Sequence, residues 1–239
     1  MNVFVCITFD DGNEEQFAEY YPVLEEYGFR ATFYVITSLI GKKGMLTYDQ
    51  LKELYNHGNE IGSHTHTHPH LTKISVTSLI FELEKSKEVL KDFECKTLAY
   101  PYGDYDARVI YYVRRFYSAA RGYTNYGINN SRDINRYALK VIPQGTFPYF
   151  SDLNKGLAIF VFHGRSNITF DKILWMLKYK RSDLVFNRII TSFLKILKSS
   201  NYHDDFSQFR KLCEILSADD SVRVLTVSEA LRQLYDINS

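Results

Sequence analysis

Short apolar runs alternate with amphipathic segments along most of the chain. The runs are rich in β-branched and aromatic residues, which is typical of buried strands, and they lie at 3–9, 30–36, 60–62, 97–100, 117–120, 139–142, 157–162 and 222–225. Between them, apolar residues recur at the spacing of one helix face. This alternation predicts an α/β fold with a largely parallel sheet, either open or closed into a barrel.

Capping residues predict where several helices begin. Thr47 and Gln50 have the spacing of a capping box, and Asp104 and Thr226 are expected to N-cap the helices that follow them. The Asn- and Gly-rich segment 122–130 is predicted to be a loop. Helices are expected at 14–27, 47–58, 75–93, 171–216 and 227–234, and the helix that follows Asp104 is expected to carry Val109, Ile110, Val113 and Phe116.

Length, charge and cysteine content limit the class of protein. A chain of 239 residues suits one α/β domain, so residues 1–239 are taken as a single domain. Lys and Arg number 29 against 28 Asp and Glu, and a net charge of +1 provides no field to attract nucleic acid or an anionic membrane. No CxxC pair occurs, which argues against a disulfide framework or a thiolate zinc site. The sequence does not indicate an oligomeric state.

The amino terminus carries no basic segment followed by a long apolar core, so no secretory signal is predicted. No apolar run reaches the roughly 20 residues of a membrane-spanning helix. We therefore expect a cytoplasmic protein, unless a signal has been removed from the sequence.

The segment 64–70 gathers four of the seven histidines of the chain. In a strand, His64 and His68 would lie about 13 Å apart, which is too far for one ion to join them. In a helical turn, side chains four residues apart are neighbours, and two neutral imidazoles could then bind one metal ion. The alternative is a solvated histidine-rich loop that binds nothing.

Polar residues whose side chains could take part in catalysis or metal binding follow the ends of several predicted strands. Parallel α/β folds build their sites at that rim. One carboxylate with the His64 and His68 pair would form a metal site with open positions, as in hydrolytic metal enzymes and in non-haem iron oxygenases. The residues concerned are Asp10, Asp11, His64, His68, Tyr102 and His163.

Four motifs stand in the order found in the polysaccharide deacetylases, which form carbohydrate esterase family four. The chain resembles that family from residue 3 to residue 163, and the segment 225–229 resembles the family's carboxyl end. The first two motifs together are highly specific, and the other two are weaker alone. The motifs are Thr-Phe-Asp-Asp-Gly at 8–12, His-Thr-His-Thr-His-Pro at 64–69, Tyr-Pro-Tyr-Gly at 100–103 and Ile-Phe-Val-Phe-His at 159–163.

The resemblance implies a distorted (β/α) barrel of about seven strands and metal-dependent removal of N-acetyl groups from an amino sugar or glycan. Asp11, His64 and His68 resemble the metal ligands, with zinc as the default ion and cobalt, nickel or manganese as alternatives. The resemblance leaves His66 and His70 out of the metal site.

The same resemblance implies roles for three further residues. Asp10 resembles the general base, and His163 resembles the general acid. Tyr102 resembles the residue whose backbone N–H helps to hold the oxyanion. These roles suit amide hydrolysis, which needs a base for water, a donor for the oxyanion and an acid for the departing amine.

The sequence departs from the commonest family pattern at two points. Ala99 stands where an arginine usually orients the catalytic aspartate, and the tryptophan-containing motif has no clear counterpart. Arg121 follows the next predicted strand, so we expect its side chain to reach Asp10 and to replace the missing arginine. The alternative is that Arg121 lies in solvent or pairs with a loop carboxylate.

Two other functions remain open at this point. The family includes relatives that hydrolyse C–N bonds of cyclic amides and ureides, some without metal. The chain could also be a catalytically silent relative that binds glycans, although the presence of both Asp10 and His163 argues against that alternative.

Overall fold

The computed structural model describes residues 3–130, 133–143, 156–163 and 205–236. Residues 171–204 of the predicted helical stretch lie outside the described residues. Among the described residues, no helix combines the length and the apolar character needed to cross a bilayer.

The strands form a closed parallel ring. β1 pairs with both β2 and β7, and each of the intervening strands pairs in parallel with the next, so seven described strands close into a barrel. β8 pairs with the first half of β1, whereas β2 pairs with its last residues. The predicted barrel of about seven strands is confirmed. The bounds are β1 Val3–Phe9, β2 Thr32–Val35, β3 Glu60–Ser63, β4 Thr97–Ala99, β5 Ala119–Tyr126, β6 Leu139–Pro143, β7 Leu157–Phe162 and β8 Val222–Val224.

Most of the helices pack against the outside of the ring, whereas the last one packs with the residues inside it. A π-helical turn at Gln16–Tyr20 leads directly into the first helix. The helices are α1 Tyr21–Glu26, α2 Tyr48–Asn56, α3 Val76–Val89, α4 Ala107–Val113, α5 Asp205–Ser217 and α6 Val227–Asp236.

Helix caps agree with the sequence at two positions and differ at one. Thr47 and Gln50 form the expected capping box of α2, and the Thr226 hydroxyl accepts a hydrogen bond from the Glu229 N–H in the first turn of α6. Asp104 is not the cap of α4, because that helix begins only at Ala107. Its cap is Asp106, whose carboxylate accepts a 2.8 Å hydrogen bond from the Val109 N–H.

The predicted loop at 122–130 is wrong over its first half, because β5 continues to Tyr126. The register between β5 and β6 shifts between Arg121 and Tyr126, as it does at a β-bulge. Gly122 lies in this irregular stretch, and a Cβ there would lie only 2.9 Å from the Tyr105 ring. The glycine that suggested a loop therefore serves a close approach within a strand, and Arg121 lies inside β5 rather than at its end.

Side-chain alternation separates the inside of the barrel from its outside. Phe4 and Cys6 of β1 pack with residues of β6, β7 and α6, whereas Val5 and Ile7 pack with the outer helices. Helix α6 covers the amino ends of the strands, where the Ser228 N–H donates a 2.9 Å hydrogen bond to the Glu60 carboxylate. The opposite rim, at the carboxyl ends of the strands, is the one that carries the residues singled out above.

Candidate active site

β1 delivers two consecutive carboxylates to the rim. Its alternation continues past Phe9, so Asp10 turns to the inside of the barrel, where the Asp10 N–H donates a 2.8 Å hydrogen bond to the Phe162 carbonyl. Asp11 and Gly12 then have φ values of 73° and 80°, and this tight turn directs Asp11 away from Asp10. The two carboxylates consequently have different neighbours.

Arg121 is the charged partner of Asp10. Its Nη2 forms a buried ion pair with Asp10 Oδ1, and the two side chains are only 1% and 3% exposed. The guanidinium also lies over the Tyr34 ring, 4.5 Å from its centroid. Ala99 of β4 and Arg121 of β5 are register partners, so this arginine stands one strand away from the position where the family pattern usually has it.

This ion pair decides the charge state of Asp10. Burial acts to raise the pKa of the Asp10 carboxyl, but the adjacent charge of the Arg121 guanidinium is the largest opposing cause, and the pKa lies below its usual value. Asp10 is therefore an ionised carboxylate held inside the barrel.

His163 follows β7 and lies beside Oδ2 of Asp10, whereas Arg121 pairs with Oδ1. His163 Nε2 is 3.7 Å from Asp10 Oδ2, and the histidine side chain is 36% exposed. The Asn13 amide donates a 2.6 Å hydrogen bond to the His163 carbonyl, and the Tyr123 ring meets the imidazole edge to face with centroids 5.2 Å apart. The imidazole thus lies between a buried carboxylate and solvent, which suits proton transfer.

Asp11, His64 and His68 form a second cluster at the same rim. Asp11 Oδ1 lies 3.6 Å from His64 Nε2 and 3.9 Å from His68 Nε2, and the two nitrogens are 3.1 Å apart. One possible metal-ligating atom from each of the three side chains lies within 4.8 Å of the other two.

A loop, rather than a helical turn, brings the two imidazoles together. Thr65 and His68 have φ values of 67° and 62°, so the helical-turn geometry considered from the sequence is wrong. The buried Glu82 carboxylate holds the loop by accepting hydrogen bonds from the N–H groups of His66 and Thr67 at 2.9 and 2.7 Å. The left-handed conformations reverse the chain direction between His64 and His68, so the two rings come closer than they could in an extended strand.

The donor set of this cluster fits a divalent transition ion. The His64 Nδ1–H donates to the Ala99 carbonyl at 2.8 Å, so the neutral ring presents the bare Nε2 to Asp11 and His68. Burial lowers the pKa of His64. Burial, and after it the repulsion between two protonated rings so close together, lowers the pKa of His68 to about 4. Both rings are neutral, as metal ligation requires, and two imidazoles with one carboxylate suit zinc and its neighbours in the first transition row.

Tyr102 lies next to this cluster in an exposed turn. Its ring centroid is 4.5 Å from that of His68 and 4.0 Å from that of His70, which it stacks against. His70 points to Asp104, and His66 points to Thr37, so neither belongs to the cluster with Asp11.

Several residues that support the site were not predicted from the sequence. Tyr123 and Tyr34 lie on the inner faces of β5 and β2, where the alternation that also carries Arg121 could have revealed them. Asn13 and the pair formed by His70 and Asp104 depend on contacts between loops, for which the sequence offers no periodic signal.

Residues 3–118 match the sequence model of the polysaccharide deacetylase family. Over 116 residues the chain is 36% identical to the poly-β-1,6-N-acetyl-D-glucosamine N-deacetylase of Staphylococcus aureus strain MRSA252, an alignment that covers 41% of this chain and 40% of that protein. The chain spans less than half the length of the curated relatives it matches.

Two solved structures extend this comparison. The Streptococcus pyogenes deacetylase PplD, solved in complex with acetate, is 30% identical with a TM-score of 0.52, and the match covers 56% of this chain and 64% of that one. The T48 deacetylase, solved with substrate, is 20% identical with a TM-score of 0.60 over 98% of this chain and 92% of that one. The second likeness supports the barrel fold across the described parts of the chain.

The buried ion pair leads to a testable prediction about stability. Arg121→Met should lower the free energy of unfolding by about 3–5 kcal/mol, because it leaves the Asp10 carboxylate buried without a counter-charge. The double variant Asp10→Asn with Arg121→Met should lose less than the sum of the two single changes. Urea unfolding at neutral pH with a chelator present measures all four proteins, and strictly additive losses would contradict the pairing.

Proposed function

We propose, on the premise that this chain belongs to the polysaccharide deacetylase family, that it removes N-acetyl groups from an amino sugar or glycan by metal-dependent hydrolysis. The observation that carries the proposal is the convergence of two groups at one rim. In the first group, His163 Nε2 lies 3.7 Å from Asp10 Oδ2. In the second group, Asp11 Oδ1 and the Nε2 atoms of His64 and His68 lie within 3.9 Å of one another.

Asp11, His64 and His68 would hold the metal ion in this proposal. Zinc is the default ion because the set combines two imidazoles with one carboxylate, and cobalt, nickel and manganese are the alternatives. When bound, such an ion would polarise the acetamide carbonyl and lower the pKa of water.

Asp10 serves as the general base for the attacking water. A base must be ionised before the reaction, and the pair with Arg121 supports that state despite the burial of Asp10. Arg121 accordingly takes the orienting role that Ala99 cannot perform. Asp10 Oδ2 is the oxygen that faces His163 and is not paired with Arg121 Nη2, so it is the atom that accepts the proton.

His163 serves as the general acid for the departing amine. Its imidazole touches Asp10 on one side and solvent on the other, so a proton taken from water by Asp10 has a short route to the leaving nitrogen. The N–H of Tyr102 is assigned to the oxyanion, because a fixed backbone donor stabilises charge where it develops in the transition state.

A polymer of N-acetylglucosamine is the first substrate to test. The Staphylococcus aureus relative is named for deacetylating poly-β-1,6-N-acetyl-D-glucosamine, and the Streptococcus pyogenes relative was solved with acetate, the product of such a reaction. An alternative is hydrolysis of a cyclic amide or ureide, and another is glycan binding without catalysis. The presence of both Asp10 and His163 favours catalysis over the second alternative.

Acetate release tests the function directly. The chelated protein should release no acetate from β-1,6-linked N-acetylglucosamine oligomers, and adding one equivalent of zinc, cobalt, nickel or manganese should restore release, as measured by enzymatic assay of free acetate. Cyclic amides and ureides incubated in parallel should remain intact. Binding of the oligomers without release of acetate under any of the four ions would contradict the proposal.

The ligand assignment has its own prediction. His68→Ala should remove stoichiometric metal, since two remaining ligands bind a divalent ion too weakly to retain it through dialysis. His66→Ala is the matched control, because its ring contacts Thr37 in the same loop. Elemental analysis after dialysis should give one ion per chain for the control. Equal loss from both variants would reject the assignment.

The proton-transfer roles make a further prediction. Asp10→Asn and His163→Ala should each lower kcat by about 10²–10⁴-fold, the usual contribution of general acid and base catalysis, while metal content stays near one per chain. His57→Ala is the control, since His57 pairs with Glu25 on the outer surface. Undiminished kcat in Asp10→Asn would refute the base role.

A further inference from the structure

The backbone of Tyr102 is in an unusual conformation. Its φ and ψ are 58° and 8°, and Gly103 after it has a φ of 67°. Two consecutive residues of positive φ occur at the centre of type I′ turns, where Asn, Asp or Gly normally take the first position. Tyrosine has a Cβ that disfavours this conformation, and burial does not enforce it here, since Tyr102 is 54% exposed.

His70 supports the Tyr102 ring from the histidine loop. The two rings are nearly parallel, with an interplanar angle of 15° and centroids 4.0 Å apart. The His70 Nδ1–H donates to Asp104 Oδ2 at 3.3 Å, and the Thr72 hydroxyl donates to the same oxygen. Asp104 is the residue that closes the turn, since its N–H bonds to the Pro101 carbonyl. One imidazole therefore contacts both the centre and the end of the turn.

The other side of the turn rests against β5. A Cβ on Gly103 would lie 2.6 Å from the backbone nitrogen of Tyr123, so the turn has no room to relax in that direction. The loop that carries His70 is fixed as well, because the Arg108 guanidinium donates hydrogen bonds of 2.9–3.0 Å to the carbonyls of Leu71, Thr72 and Ile74. The turn is held between a strand on one side and an anchored imidazole on the other.

We propose that His70 is a positioning residue that, held by Asp104, keeps Tyr102 in its left-handed conformation beside the metal-binding histidines. Strained backbone at a rim such as this one persists only where neighbouring contacts enforce it, and such strain is concentrated at functional sites. The inference rests on the proposed function, in which the Tyr102 N–H receives the oxyanion. His70 acts through its contacts with Tyr102 and Asp104 and is not one of the residues assigned to the metal.

The first test separates kcat from KM. His70→Ala should lower kcat about tenfold or more, because a donor that moves from its place stabilises the transition state less, while KM changes less than twofold and metal content stays at one per chain. His70→Phe keeps the stacked ring without the hydrogen bond to Asp104, so its kcat should lie between those of His70→Ala and the parent protein. An unchanged kcat in His70→Ala, or equal losses in both variants, would overturn the proposal.

A double variant distinguishes positioning from general loss of stability. In a Tyr102→Ala background the ring that His70 supports is absent, so adding His70→Ala should lower kcat less than twofold further. A further tenfold loss would show that His70 acts independently of Tyr102. His66→Ala is the matched control, since its ring contacts Thr37 and Phe81 instead, and it should leave kcat unchanged.

NMR of labelled tyrosine tests the contact between the His70 and Tyr102 rings without an activity assay. In protein labelled at tyrosine, the Tyr102 ring signal, assigned by its loss in Tyr102→Phe, should shift in His70→Ala because the ring current of the imidazole disappears. An unchanged signal would overturn the proposal even in an active enzyme. A shifted signal in a protein that releases no acetate would instead support the contact and reject the proposed function.

Discussion

Closure of the parallel ring on β1 is the constraint on which the site depends. Because every described strand runs in the same direction, all their carboxyl ends meet at one rim. Because side chains alternate along each strand, Asp10 after β1 and Arg121 in β5 both turn to the inside of the barrel. Helix α6 covers the amino ends, and the residues of the candidate site lie at the opposite face.

This arrangement buries the charge of Asp10, which therefore needs a counter-charge inside the barrel. A carboxylate with 3% exposure is costly unless a counter-charge is close, and Arg121 supplies that charge from β5, a strand that does not pair with β1, so its side chain reaches Asp10 through the interior of the barrel. Ala99 and Arg121 are register partners, so moving an arginine from one to the other carries its charge sideways by one strand spacing. A long, planar guanidinium spans such a shift, whereas a shorter side chain would not.

Much of this arrangement was predictable from local sequence. The apolar runs of β1 and β7 mark their bounds correctly, the capping box at Thr47 is present, and the six residues expected at the rim all lie there. These features depend on periodicity and on short-range hydrogen bonds, which the sequence carries directly.

The features that were missed depend on contacts between distant segments. The extension of β5 to Tyr126 is enforced by its neighbours despite Gly122, and Asp104 serves Thr72 and His70 in preference to a helix end. The fold of the histidine loop depends on Glu82 in a later helix, which no local pattern indicates.

The proposed deacetylation depends on a metal ion bound by Asp11, His64 and His68. Anomalous diffraction at the zinc edge from crystals of the zinc-loaded protein tests it most directly. The account predicts one strong anomalous peak within bonding distance of the Asp11 carboxylate and of Nε2 of both histidines. A fully occupied zinc peak elsewhere in the molecule, with none at this cluster, would contradict it.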